Sequence, residues 1–363
     1  MATTKVPNNL IDLSGDSGAL PWAAGTTAQR PASPNSGDFR YNTDLNKFEF
    51  YNGTDWRLIV PIAFMDFLLV AGGGGSSNGA GGAGGLLTSY GSVSGGGGPV
   101  LSPFSGAGET YVITIGAGGN YSSDYHYAPG MGGDSSIVSS NPSTNLYADG
   151  GGRGGSALNI YTPGTTATGL PGGSGGGGGL VPSTNPGYVG GAGTGTTNQG
   201  YPGGQSRGEP YPSRVVFGSG GGAGGAGIGG YSPTGYQTIS GGLGLAVDIL
   251  NSTNAATYSV GDVSGTDVYY ASGGAAIWIS GSTWSGAPNP LYGPVSPGGG
   301  GSYSAGAANT GGGGARSYNG GSGVCILRMT TDSYTGVTTG NPSVVTEGDD
   351  TILIYTGSGS YTA

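Results

Sequence analysis

The sequence predicts a mainly β and irregular fold with almost no α-helix: a small N-terminal β-meander, then a glycine-rich domain of packed polyglycine II helices carrying short β-strands. Three observations lead there. Glycine supplies 87 and proline 22 of the 363 residues, so side-chain volume is too small for a large oily core. Aromatic and β-branched residues gather in strand-length stretches bounded by turn residues. Glycine itself falls in runs, at 72–75, 95–98, 150–152, 175–179, 220–222, 298–301 and 311–314, with neither the Gly-X-Y triplet of collagen nor a fixed repeat length.

Residues 1–24 read as an extended attachment arm, punctuated by Pro7, Gly15, Gly18 and Pro21 with no helical period between them. Residues 25–60 form the aromatic meander, a connector and oligomerisation module. Its predicted strands are 38–42, 47–51 and 56–59, with Asn52-Gly53 as a hairpin signal. Three strands are too few to fold alone, so Phe39, Tyr41, Phe48, Phe50 and Trp56 are expected to bury against copies of themselves.

Residues 61–363 are the glycine-rich domain. Each glycine fixed in an extended conformation costs about 0.5–1 kcal/mol more than alanine, so a systematic offset is required. Lacking Cβ atoms, extended three-fold segments can lie at backbone distance and satisfy one another's amides, turning single helices into a cooperative lattice. Segments 64–71, 111–115, 324–329 and 351–355 supply a strand floor, the domain being closed by C-terminal strands 324–329 and 351–356.

Recognition is expected in the spacers between glycine runs, because loops on a rigid scaffold carry binding residues. Four are rich in the aromatic and arginine side chains that dominate binding hot spots. They are 120–129 with Tyr121, Tyr125, His126 and Tyr127; 201–214 with Arg207, Tyr211 and Arg214; 256–271 with Tyr269 and Tyr270; and 278–297 with Trp284 and Tyr292. Trp278, in a strand-like stretch, is expected to pack inward as readily as outward.

Several chemistries are disfavoured. Ten Lys and Arg against nineteen Asp and Glu give a net charge of −9, leaving no basic stripe for nucleic acid. The apolar run 58–71 is broken by Pro61 and Asp66 and is too short to span a membrane. Residues 1–14 lack the pattern of a signal peptide, which points to synthesis in a cytoplasm. The single Cys325 offers no intrachain disulfide and no zinc-site spacing. Neither Lys5 nor Lys47 follows glycine, so no Walker A loop exists.

His126 is the one histidine, and a catalytic triad around it is disfavoured against an exposed loop residue. Asp262 with Asp267, or Asp134 with Asp149, could be nominated as a glycosidase pair, though acidic loop residues are ordinarily just solvated. Glu347, Asp349 and Asp350 read as a charged turn rather than a calcium site. No catalytic residue, metal or cofactor is expected.

Two stretches resemble known phage modules. Gly25-Thr-Thr-Ala-Gln-Arg-Pro-Ala-Ser-Pro34, Phe39-Arg-Tyr-Asn-Thr43 and Lys47-Phe-Glu-Phe-Tyr-Asn-Gly-Thr-Asp-Trp56 together resemble a connector common in phage fibre proteins. Met65-Asp-Phe-Leu-Leu-Val-Ala-Gly-Gly-Gly-Gly75, Tyr111-Val-Ile-Thr-Ile-Gly-Ala-Gly-Gly119 and Gly320-Gly-Ser-Gly-Val-Cys-Ile-Leu-Arg328 are similar to the signatures of a glycine-rich domain of phage tail proteins. The glycine-run texture also resembles the polyglycine sandwich of T-even-type tip adhesins.

The resemblance implies a non-enzymatic virion protein, a homotrimeric tail-fibre or adhesin subunit. It would bind other virion proteins through its arm and a host-surface glycan or outer-membrane protein through its loops. A head fibre or capsid decoration protein, a tailspike-type polysaccharide depolymerase and an ice-binding protein are the competing readings. In the family a segment like 351–362 precedes the opening strand, so the order here resembles a circular permutation. Residues 351–356 are therefore expected to pair with or lie beside 64–71.

Overall fold

The structure is a computed structural model and describes residues 23–59, 64–105, 108–123, 128–139, 144–156, 167–179, 190–208, 214–229, 239–276, 278–280 and 296–363. The chain divides into two compact units, Met1–Ile62 and Ala63–Ala363. In the first, β1 (Ala24–Gly25), β2 (Phe39–Asn42), β3 (Lys47–Tyr51) and β4 (Trp56–Leu58) form one sheet in that order. The meander strands fall within a residue of their expected limits, and β1 adds a parallel edge. The arm expected over 1–24 lies outside the described residues except for its last two.

Register sorts the aromatics of this sheet. Phe39 opposite Phe50 and Tyr41 opposite Phe48 put those four rings on one face. Trp56 departs from that set. It lies opposite Tyr51, on the other face, with the Arg40 guanidinium 5.9 Å from its ring centre. That face also buries charge: the fully buried Glu49 carboxylate takes hydrogen bonds from Arg30 and Asn42 and sits 3.7 Å from Arg40. The hydrogen-bonded Arg30 guanidinium holds Glu49 below the usual carboxylate range.

The second unit opens with β5 (Asp66–Val70), β6 (Leu86–Thr88), β7 (Thr110–Thr114), β8 (Ser135–Ser139), β9 (Leu146–Ala148), β10 (Arg207–Gly208) and β11 (Arg214–Val216). It continues with β12 (Leu245–Ala246), α1 (Ser252–Tyr258), β13 (Asp262–Ser264), β14 (Asp267–Tyr270) and β15 (Trp278–Ser280). It ends with β16 (Val324–Thr330), β17 (Val337–Thr339), β18 (Ser343–Glu347), β19 (Asp350–Tyr355) and β20 (Gly359–Thr362).

Two five-stranded sheets form a sandwich: β18-β19-β16-β5-β6 packs against β17-β20-β7-β8-β9. Alternation along the strands divides their side chains. Phe67, Leu69, Cys325, Leu327, Leu353 and Tyr355 meet Tyr111, Ile113, Ile137 and Tyr361 between the sheets. On the first sheet's other face, Leu68, Val70, Val324, Ile326, Ile352 and Ile354 meet Val247, Ile249, Leu250, Val268 and Tyr270. The first sheet is thus buried on both faces, as the near-continuous apolar runs of β16 and β19 require.

Two expectations are corrected here. Strand β19 shares a sheet with β5 but does not pair with or lie beside it. Strand β16 stands between them, bonded to β5 on one edge and β19 on the other, so that all three strands continue both apolar faces. The spacer 256–271 is not a displayed loop. It folds as the end of α1, whose cap Asn251 accepts from the Asn254 amide at 2.8 Å, and the hairpin β13–β14 under the first sheet.

Apart from the run 95–98, a short 3-10 turn in which the Gly98 amide donates to the Gly95 carbonyl at 3.2 Å, the glycine segments bond to one another rather than internally, and their bonding repeats every third residue. In the segment 79–85, Gly79, Gly82 and Gly85 donate to the carbonyls of Gly155, Gly152 and Asp149. Ala80 and Ala83 donate to Gly218 and Gly221, and Gly81 and Gly84 to Gly314 and Gly311. The carbonyls point to three other neighbours: Gly82 accepts from Gly74, Ala80 and Ala83 from Gly177 and Ser174, and Gly81 from Gly274. Three residues per turn with bonds leaving on all sides is a polyglycine II helix in a hexagonal array.

Close approach makes the glycine obligatory at such positions. A Cβ on Gly81 would come closer than 3.0 Å to the carbonyl oxygen and carbon of Gly74, which are backbone and cannot turn aside. Gly81→Ala is therefore expected to lower stability by about 3 kcal/mol, whereas Gly357→Ala, with nothing within 4 Å of the added atom, should stay within about 0.5 kcal/mol. Urea unfolding of the two variants checks the contrast.

A second expectation concerns Glu49. Its depressed folded pKa means its contribution is present above the unfolded value of about 4.3 and is lost as pH falls through the folded value. Glu49→Gln strands the buried Arg40 and should destabilise the first unit by about 3 kcal/mol at pH 7. Hydrogen exchange in the whole chain would then quicken across 39–58 and leave 72–85 unchanged.

Candidate functional site at the turn end of the lattice

Segments that leave the strands run to one far end and turn there. Four of those turns interlock. Ser76 donates through its amide (3.2 Å) and its hydroxyl (2.9 Å) to the Tyr318 carbonyl, and through the same hydroxyl to the Ala315 carbonyl. The Ser317 amide donates to Ser77, the Ser122 amide to Ser76 and the Ala315 amide to Ser304. The Tyr121 amide donates to Asn319 Oδ1 at 2.7 Å. The turns 120–123, 302–305 and 315–319 therefore form one contiguous surface over the buried 76–78 turn.

Three tyrosines stand on it. Tyr121 is 47% and Tyr303 59% exposed, and the rings of Tyr303 and Tyr318 meet edge to face with centres 5.8 Å apart. Two residues hold left-handed backbone that side chains disfavour: Tyr303 at φ 63° and Ser317 at φ 61°. Such strain persists only where surrounding bonds fix it, and here the 315–319 turn is bonded to both the 76–78 and 302–305 turns.

The one charged side chain of these turns, Arg316, lies over the buried Phe217 ring, its guanidinium carbon 5.4 Å from the ring centre. Phe217 directly follows β11. The small sheet β10-β11-β15 consequently reaches the same end, bringing Arg207, which is exposed, and the backbone of Arg214.

The nominated residues divide accordingly. Tyr121, Arg207 and Arg214 reach the turn end, although the side chain of Arg214 lies outside the described residues. Tyr125, His126, Tyr127, Tyr211, Trp284 and Tyr292 also lie outside the described residues. Tyr269 and Tyr270 belong to the opposite end, in β14. Tyr269 is half-buried, and its hydroxyl lies 3.4 Å from Asp267. Tyr270 is fully buried in the core below the first sheet and cannot be a displayed binding residue. Burial, with the nearby Asp248 charge adding to it, pushes its hydroxyl pKa well above the usual value. Tyr303, Tyr318 and Asn319 were missed, because each sits among glycines in a turn too short to stand out as a spacer.

The nominated carboxylates serve the lattice. Asp262 Oδ2 accepts from the amides of Gly298 (2.9 Å) and Gly299 (3.2 Å), and Asp134 Oδ1 from Gly150 (2.7 Å). Asp149 Oδ2 accepts from the Thr196 hydroxyl at 2.7 Å. Glu347 and Asp350 are held by Arg328, at 3.2 and 2.8 Å, and Glu347 also caps the α1 entrance through Asn251 and Asn254. Among the described residues no group of three or more His, Cys, Asp and Glu is arranged to hold a metal ion, and no helix is long and apolar enough to cross a membrane.

Comparison with known proteins gives one match: the model of a family described as a glycine-rich domain covers residues 51–330. No curated protein and no solved structure matches the chain.

Among the described residues the Tyr270 hydroxyl has no hydrogen-bond partner in its fully buried site. Tyr270→Phe is therefore expected to raise stability by about 1 kcal/mol, measured by urea unfolding, where a displayed residue would give no change.

Proposed function

Since this chain belongs to the glycine-rich domain family, we propose that it is a non-enzymatic phage virion protein, a tail-fibre or adhesin subunit that holds a host-surface receptor with one end of its lattice. The observation that carries this reading is the gathering of interlocked turns, with exposed tyrosines, at the end of a scaffold whose interior glycines stand too close to neighbouring backbone to carry side chains. A rigid backbone array positions residues there with little freedom left to lose, and such economy favours binding. The commitment of Asp134, Asp149 and Asp262 to backbone and hydroxyl donors supports a binding role over glycan cleavage.

The first unit suits a connector. Its aromatic face, with Phe50 37% exposed, is the surface through which copies would associate, as a homotrimer. The N-terminal arm would then attach the assembly to other virion proteins.

Binding of the labelled full chain to cells of the bacterial host tests the reading. Replacing 124–127 and 281–292 by glycine-serine linkers of equal length should cut cell binding at least tenfold at an unchanged melting temperature. Equal binding by that variant, or no binding by the parent chain, contradicts the proposal.

A further inference from the structure

We propose that the tyrosine shelf formed by Tyr121, Tyr303, Tyr318 and Asn319 binds a neutral saccharide, seating the apolar face of a pyranose on the rings. The inference rests on the adhesin reading and names the receptor chemistry at its turn end.

The geometry favours a sugar in three ways. The rings come from three different turns that are tied together, the Tyr121 backbone amide to the Asn319 side chain by a hydrogen bond and the Tyr318 ring to the Tyr303 ring edge to face. They are flat, rigid surfaces that lose little freedom on binding. Asn319 adds a directed donor: the Tyr121 amide requires an acceptor and so takes Oδ1, which leaves the exposed Nδ2 to meet a hydroxyl or ring oxygen.

Charge sets the class of sugar. Within the described turns of the shelf the sole charged side chain, Arg316, has its guanidinium over Phe217, and the exposed Arg207 stands outside those turns in β10, so the shelf itself suits an uncharged sugar better than a sialic acid or a phosphate. Size argues against a protein partner at the shelf itself. A stable protein interface needs about 800 Å² and roughly 20–30 residues per side, whereas the shelf spans three short turns.

Strain gives the test its leverage. Tyr303 holds φ 63°, a conformation that glycine adopts without penalty. Tyr303→Gly therefore removes the ring while relaxing the backbone, so loss of binding is separated from loss of fold. The full chain would be passed over immobilised neutral oligosaccharides ending in glucose, galactose, mannose or rhamnose, beside sialylated and phosphorylated counterparts. The expected result is binding to a neutral sugar, at least tenfold weaker in Tyr303→Gly at an equal or higher melting temperature, and within threefold of the parent in Tyr303→Phe.

Unchanged affinity in Tyr303→Gly, or preference for the acidic sugars, overturns the proposal. A parent chain that binds host cells but no neutral sugar overturns it too, leaving the adhesin reading in place. A parent chain that binds neither removes both.

Discussion

The amide-to-carbonyl hydrogen bond between neighbouring glycine segments is the interaction on which the rest of this molecule depends. A polyglycine II helix satisfies none of its own backbone groups, so each segment is stable only when neighbours stand on several sides. The segment 79–85 donates in three directions and accepts from three more, and its partners are drawn from residues as distant as Gly155, Gly218 and Gly314. No pair of segments constitutes the fold. The array forms as a body or not at all.

Magnitudes explain why a lattice alone would not suffice. A net hydrogen bond contributes about 1 kcal/mol, while ordering a glycine costs about 0.5–1 kcal/mol beyond alanine and every residue also loses backbone freedom. The array needs an apolar anchor. The sandwich provides it: β5, β7, β8, β9 and β16 are each continuous with a glycine segment, so burying Phe67, Tyr111, Ile137 and Leu327 fixes where those segments begin. At the opposite end nothing apolar is required, and the turns are left to carry polar and aromatic side chains.

Much of the scaffold was legible in the sequence because its constraint is local. Only glycine tolerates a neighbouring carbonyl where Cβ would stand, so the runs declare the array. The strands 64–71, 111–115, 324–329 and 351–355 were found by β-branched content. What escaped was long-range: that β16 separates β5 from β19, and that 245–270 folds beneath the first sheet, are decided by which faces must be buried together. For the same reason Tyr270 passed for a displayed aromatic, since sequence gives its side chain no direction. The turn end was legible only in part. Tyr121 stood in a spacer conspicuous for aromatics, whereas Tyr303 and Tyr318 meet through a contact between turns that no local pattern announces.

Amide hydrogen exchange of the glycines, followed residue by residue in the intact chain, tests the hydrogen-bonded array most directly. The account predicts that 79–85, enclosed by neighbours, exchange orders of magnitude more slowly than an unstructured peptide and lose protection together with 150–155, 174–178 and 218–222 in one transition. Exchange of these amides at free-peptide rates, or their release segment by segment, would contradict it.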